Sequence, residues 1–287
     1  VKQIVVISGK GGTGKTSIVS ALSSIGPKKV IADCDVDAAD LHLILKPTII
    51  DEHDFISGER PSIDLDICTQ CGMCVEHCKY GAISDEFKIM LEKCEGCGVC
   101  SFVCPVGAVS EEPRNCGKWF KSSTRFGTLI HAALGIGEEN SGKLVTTVRT
   151  ASADAGVEEE AELVLVDGSP GIGCPVIASL TNADLAVFVA EPTITALHDL
   201  KRVYELTEHF KIPSTVIINK CGINSNQETE IKAFCQEKEI SIAGELPYDL
   251  AFTKAQIAGL SVVEYDPEGL GAEMEVIWKE LEKRLMA

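Results

Sequence analysis

Apolar positions in this chain fall in short uninterrupted runs: Ile4–Ser8, Val30–Cys34, Leu144–Arg149, Leu163–Asp167, Leu185–Ala190, Thr215–Asn219 and Ile240–Leu246. Most are rich in Val and Ile, the pattern of parallel strands covered on both faces. Helical stretches alternate with them, which predicts an α/β fold built on a doubly wound, mostly parallel sheet. Further on, Met274, Ile277, Trp278, Leu281 and Leu285 recur at helical spacing, while Glu273, Glu275, Glu280 and Glu282 crowd the other face. That acidic face predicts a helix docked on the core rather than one lying on a membrane.

Between the second and third runs the pattern breaks. From about Pro61 to Pro113 the chain becomes short-turned, Gly-rich and loaded with cysteine. This predicts a small second domain, residues 61–113, inserted into a larger one made of residues 1–60 and 114–287. Its borders are Ser57-Gly58-Glu59-Arg60-Pro61 and Glu111-Glu112-Pro113. Within it Cys68-x2-Cys71-x2-Cys74-x3-Cys78 recurs as Cys94-x2-Cys97-x2-Cys100-x3-Cys104-Pro105, an internal repeat that accounts for eight of the thirteen cysteines. The spacing resembles the bacterial two-cluster ferredoxin run, in which the fourth cysteine of each set serves the other cluster. The resemblance implies an α+β ferredoxin-like domain with two [4Fe–4S] clusters. One would be held by Cys68, Cys71, Cys74 and Cys104, the other by Cys94, Cys97, Cys100 and Cys78. Zinc competes for any Cys-x2-Cys pair, but eight cysteines in two matched runs argue against it. Lys79 stands where a proline usually follows the first set, a departure that touches a turn rather than a ligand.

Directly after the first apolar run comes Gly9-Lys10-Gly11-Gly12-Thr13-Gly14-Lys15-Thr16, which fits G-x-x-x-x-G-K-[ST] at every fixed position. Glycines let backbone N–H groups wrap a polyphosphate with no Cβ in the way. Gly11, Gly12, Thr13 and Gly14 would form that cradle, Lys15 would reach the β- and γ-phosphates, and Thr16 would hold Mg²⁺. The following helix would point its positive end at the anion. The same residues also spell G-x-G-x-x-G, with Asp33 near the distance of a ribose-binding acid. Gly14-Lys15-Thr16 decides against a dinucleotide site, which has no use for the Lys-Thr pair.

Lys10 makes the loop more specific. Lys10-Gly11-Gly12-Thr13-Gly14-Lys15-Thr16 resembles the deviant Walker A motif of the MinD/ParA/nitrogenase-iron-protein superfamily of P-loop ATPases. The resemblance implies a homodimer closed face to face, in which Lys10 completes the partner's active site. Asp33-Cys34-Asp35-Val36-Asp37 resembles that family's switch I. Asp35 becomes a candidate for Mg²⁺-linked water and Asp37 for positioning the attacking water, although Asp37 could equally cap a helix. Leu163-Val164-Leu165-Val166-Asp167 has the Walker B form, with Asp167 expected to hold Mg²⁺ through water. Gly168–Gly173 is similar to switch II, which moves when the γ-phosphate leaves. Asn219 is the adenine candidate, with the backbone around Pro247 and Tyr248 a second one by family analogy. Gly222 lacks the carboxylate a guanine site wants, so ATP is expected over GTP. Cys174 lies seven residues beyond Asp167, where the nitrogenase iron protein carries a cluster ligand. A second such ligand outside the repeat is not evident. The remaining Cys34, Cys116, Cys221 and Cys235 read as small apolar residues.

Composition narrows the partners. The 287 residues include 26 basic and 43 acidic side chains, a formal charge of −17. Such a balance argues against a broad nucleic-acid surface and against a polybasic membrane anchor. No apolar run approaches the length of a membrane span. The chain enters a strand and phosphate loop at once, so a cytoplasmic protein without a signal peptide is expected. Thirteen cysteines there call for metal rather than disulfides. The expected activity is Mg²⁺-dependent ATP hydrolysis coupled to electron transfer through two [4Fe–4S] clusters, with ATP and ADP as nucleotides and a redox protein as partner. A metallocluster assembly or carrier protein is the alternative, with a cluster client as partner. A MinD-like positioning switch is the third reading.

Overall fold

The computed structural model describes residues 1–135 and 142–286. Its centre is a nine-stranded, mostly parallel sheet in the order β3-β4-β5-β2-β6-β1-β7-β8-β9. These strands are β1 (Lys2–Ile7), β2 (Lys29–Asp33), β3 (Thr48–Ile63), β4 (Val109–Thr124), β5 (Gly127–Leu134), β6 (Leu163–Asp167), β7 (Leu185–Ala190), β8 (Ser214–Cys221) and β9 (Ser241–Pro247). Strands β1, β2, β5, β6, β7, β8 and β9 pair in parallel. The two-residue link Arg125-Phe126 obliges β4 and β5 to run antiparallel. Residues 4–7 of β1 and all of β2, β6 and β7 are buried, which is why these strands read as continuous apolar runs.

Two compact units make up the chain. One contains Val1–His53, Trp119–Ala133 and residues 142–286; the other contains Asp54–Lys118 and residues 134–135. The first holds the helices α1 (Lys15–Ser23), α2 (Leu41–Leu45), α5 (Lys143–Glu158), α6 (Cys174–Leu180), α7 (Ile194–His209), α8 (Ser225–Glu237), α9 (Leu250–Ala258), α10 (Val262–Tyr265) and α11 (Leu270–Met286). The second holds α3 (Met73–His77) and α4 (Val99–Phe102) between the outer parts of β3 and β4. In α11, Met274, Ile277, Trp278 and Leu281 join the main core, so its apolar face is spent on packing. Each such side chain contributes roughly 1.5–3 kcal/mol on burial.

Two expectations need correction. Leu144–Arg149, expected as a strand, is the first half of α5. Its buried residues Leu144, Val145, Val148, Arg149, Ser152 and Ala155 follow a helical period that a six-residue window of β-branched side chains hides. The sheet also gains β3, β4 and β5. The first two are mostly exposed and polar, so they carry no buried-strand signature.

Candidate functional site

The phosphate loop is the turn from β1 into α1. Gly14 caps α1 with φ 93°, a left-handed conformation that favours glycine, and a Cβ there would collide with the Asn219 amide. That amide donates to Thr13 O at 2.8 Å and braces the loop against the end of β8. Ser8 Oγ donates to Lys10 O at 2.7 Å at the loop's start. A cleft of about 400 Å³ opens over the turn. Gly11, Gly12, Gly14, Lys15 and Thr16 line it, together with Asp35, Asp40, Asn219, Lys220, Pro247 and Tyr248. Thr13 is buried behind it.

Charge at the cleft floor is concentrated on Lys15. Its ammonium lies 2.5 Å from Asp167 Oδ1 and 3.1 Å from Asp35 Oδ2. Burial works to discharge Lys15, but Asp167, Asp35 and Asp33 outweigh it and hold the pKa above the ordinary lysine value. Burial, then the Asp167 charge, pushes the Asp33 carboxyl well above the usual range. Asp35 is raised too, first by burial and against the pull of Lys15. Asp33 Oδ2 and Asp167 Oδ2 are buried without a hydrogen-bond partner among the described residues. Three carboxyl groups with one lysine and two free oxygens suit a hard divalent cation with oxygen ligands. Thr16 lines the same cleft. Asp37 is exposed and stands outside the cleft lining, whereas Asp35 is within it.

Lys10 turns back onto its own chain. Its ammonium is 2.6 Å from Glu191 Oε1, with Thr193 and Thr195 hydroxyls at 3.4 and 3.3 Å. The other Glu191 oxygen receives Lys220 Nζ at 2.7 Å, and Lys220 also donates to Gly12 O at 2.7 Å. Burial would raise the Glu191 pKa, but the two lysines hold it below the ordinary value. Sequence reasoning missed Glu191 and Lys220. The available signals were a carboxylate closing the apolar run of β7 and a lysine beside the expected Asn219.

In the cysteine-rich unit the sequence repeat is also a structural one. Gly72 and Gly98, 26 positions apart, cap α3 and α4 with φ 80° and 73°. Ala82 N donates to Cys78 Sγ at 3.3 Å, and Ala108 N donates to Cys104 Sγ at 3.2 Å. Backbone N–H groups, led by that of Val106, hold the Cys104 thiol below its ordinary pKa against the effect of burial. Burial raises Cys74 and Cys100, which also feel Cys68 and Cys71 or Cys94 and Cys97 as neighbours. A small cavity of about 20 Å³ is walled by Cys94, Cys97 and Cys100 of the second run and Cys78 of the first, with Tyr80, Ile83 and Ile89 among its apolar lining. Among the described residues no three His, Cys, Asp or Glu side chains converge closely enough for a single metal ion. Four thiols spread around a cavity instead fit a polynuclear cluster, where each thiolate binds a different iron. Cys174 is exposed at the start of α6; Cys34, Cys116 and Cys235 are buried and Cys221 is half-buried. No helix among the described residues is long and apolar enough to cross a membrane.

Comparison with known proteins bears on the first of these sites. A family model described as the CobQ/CobB/MinD/ParA nucleotide binding domain matches residues 4–262. An uncharacterized protein of Methanocaldococcus jannaschii is 37% identical over 228 residues, covering 78% of this chain and 80% of its own length. An uncharacterized ATP-binding protein of the same organism is 23% identical over 96% of this chain and 86% of its own length. Among solved structures, the septum site-determining protein MinD of Pyrococcus horikoshii, complexed with Mg-ADP, aligns with a TM-score of 0.60. The identity is 18%, over 98% of this chain and 96% of that one. A ParA family ATPase from Chlorobium tepidum aligns at 0.56 with 16% identity over 98% of both chains. At such identities the likeness is one of fold, the P-loop α/β fold. With the family model spanning most of its length and a phosphate loop at the end of β1, the chain belongs to the CobQ/CobB/MinD/ParA nucleotide-binding domain family.

Proposed function

We propose that this protein binds and hydrolyses ATP and couples nucleotide-driven closure of a homodimer to electron transfer through two [4Fe–4S] clusters. The observation that carries the redox half is the cavity walled by Cys78, Cys94, Cys97 and Cys100. Those four come from different repeats, in the crossed pattern of two-cluster ferredoxins. Cys68, Cys71, Cys74 and Cys104 are assigned to the second cluster on the same pattern. Such clusters, when bound, supply one-electron storage.

At the nucleotide cleft the work is positioning and charge neutralisation. The loop amides from Gly11 to Gly14 cradle the phosphates, and Lys15 exchanges its carboxylate partners for phosphate oxygens. Thr16, Asp35 and Asp167 would hold Mg²⁺, directly or through water, and the bound ion would neutralise charge developing on the phosphates. Asn219 and the Pro247–Tyr248 segment flank the base. Lys10 leaves Glu191 and adds positive charge to the partner subunit's site. Water positioning falls to Asp37 in this scheme, its exposed setting requiring that switch I move on closure.

The test is iron and sulfide analysis of anaerobically purified protein, followed by an EPR-monitored redox titration. The titration is run without nucleotide, with ADP, and with a non-hydrolysable ATP analogue. Two clusters per chain with a nucleotide-dependent potential are expected. Iron-free protein after reconstitution would overturn the redox reading, and unchanged potentials would uncouple the two units.

A second reading rests on the likeness in fold to MinD: a nucleotide-dependent positioning switch in which the clusters sense redox state. ATP-dependent assembly on a polymer or membrane surface, with unchanged cluster potentials, would favour it.

A further inference from the structure

Phe102 closes α4 with 91% of its surface exposed. An aromatic ring left in water loses the burial free energy its neighbours gain, and exposed apolar groups that cluster mark contact sites. Phe102 does cluster. Val99 sits three positions earlier on the same helical face, is 37% exposed, and also lines the four-cysteine cavity. Val106, two residues past Cys104, is 43% exposed.

Carboxylates border this face. Phe102 N donates to Gly98 O at 3.0 Å, and a Cβ on Gly98 would lie 3.2 Å from Glu111 Oε1. Gly98 opens the helix that Phe102 closes, so the buried Glu111 Oε1 lies at the start of α4, about 6 Å along the axis from Phe102. Glu111 in turn meets Glu59, whose pKa is raised by the hydrogen bond between them and then by repulsion. The exposed Glu95 is next to Gly96, where a Cβ would lie 2.6 Å from the Glu59 carbonyl oxygen. Like charges in contact favour an incoming cation. Between positions 54 and 118 there are eleven acidic and six basic residues.

Resting on the iron–sulfur reading above, we propose that Val99, Phe102 and Val106, rimmed by Glu59, Glu95 and Glu111, form a docking face. Its occupant is an electron-exchanging protein that presents an apolar socket ringed by lysine or arginine. A second copy of this chain does not suit the face, because it would bring carboxylates onto carboxylates. Val99 is both the floor of the face and a wall of the cavity, so a partner seated on Phe102 lies one side chain from the thiolates. The exchange takes one electron from the reduced cluster and gives it to the partner's metal centre, with no bond formed or broken. A buried aromatic anchor sets affinity, while rim charges set the association rate and its salt dependence.

The experiment uses the whole chain, purified anaerobically, and cytochrome c as probe, a basic protein with lysines around its haem edge. Binding is measured by calorimetry with both proteins oxidised, and electron transfer by stopped flow after dithionite reduction. Phe102→Ser should weaken binding about tenfold and slow cytochrome c reduction. Reduction of methyl viologen, which needs no docking, should be unchanged. The double variant Glu59→Gln/Glu111→Gln should flatten the salt dependence of association. Val276→Ser, a change at an exposed residue of α11 in the other unit, should do nothing. Parental binding by both the Phe102 and the double Glu variants would overturn the proposal, as would equal effects of the Phe102 and Val276 changes. Iron counted on the same samples separates the two levels. Iron-free protein that still binds through Phe102 refutes the cluster reading alone, whereas iron-loaded protein indifferent to Phe102 refutes the docking face alone.

Discussion

Glu191→Gln tests whether the contact that holds Lys10 opposes dimer closure. Lys10 Nζ and Glu191 Oε1 are 2.6 Å apart, and the side chains are 32% and 11% exposed. A hydrogen bond between charged, partly buried partners contributes about 1.5 kcal/mol, and one to a neutral amide nearer 1, with part of the difference screened by solvent. The substitution therefore weakens the tether by at most about 0.5 kcal/mol per subunit. Two lysines cross in each dimer, so closure gains about 1 kcal/mol and the dissociation constant falls about fivefold. Sedimentation analysis in the presence of a non-hydrolysable ATP analogue reads this directly. Glu191 also orients Lys220 over Gly12, so ADP affinity of the monomer serves as the control and should move less than about threefold. An unchanged or weaker dimer with intact ADP affinity would show that Lys10 does not leave Glu191 during closure.

Further changes probe the other parts. Lys10→Ala should retain ATP binding but lose hydrolysis; normal turnover would end the shared-site scheme. Cys78→Ser should reduce iron from about eight to about four per chain while ATP binding persists, and full iron content would contradict the crossed ligand sets. Gly14→Ala forces a left-handed residue against Asn219 and should abolish nucleotide binding in a calorimetric titration. Burial, then the neighbouring His42, holds the His131 pKa down to about 4, with Ser122 hydrogen-bonded to the ring at 2.9 Å. The unfolded chain takes up that proton near pH 6.5, so stability falls as pH drops from about 6.5 towards 4, by up to about 3 kcal/mol. His131→Gln should flatten that part of the pH–stability curve in urea titrations; identical slopes would refute the assignment.

Much of the nucleotide unit was legible because buried parallel strands leave a direct mark: β1, β2, β6, β7, β8 and β9 are the runs picked out by Val and Ile. The first half of α5 was misread because Val145, Thr146, Thr147 and Val148 look like a strand until Ser152 and Ala155 extend the period. Strands β3 and β4 escaped notice because their exposed faces carry charge, and local pattern reports burial rather than pairing. At the site, the glycines and Lys15 follow from local loop geometry and were readable. The Glu191 clasp is different. It joins residues 10, 191 and 220, and only the folding of β1, β7 and β8 side by side brings them together.

The carboxylates around Lys15 have one more consequence, for which anions the loop admits. Drawing Lys15 away from Asp35 and Asp167 strands their negative charge beside the incoming phosphates. A bare phosphate or a metal-free nucleotide would meet that charge uncompensated. A nucleotide arriving as its magnesium complex carries the replacement cation with it, so the swap leaves the floor of the cleft neutralised. On the proposed exchange of Lys15 partners, the loop would discriminate by the counter-ion its guest brings, before any contact with the base is made.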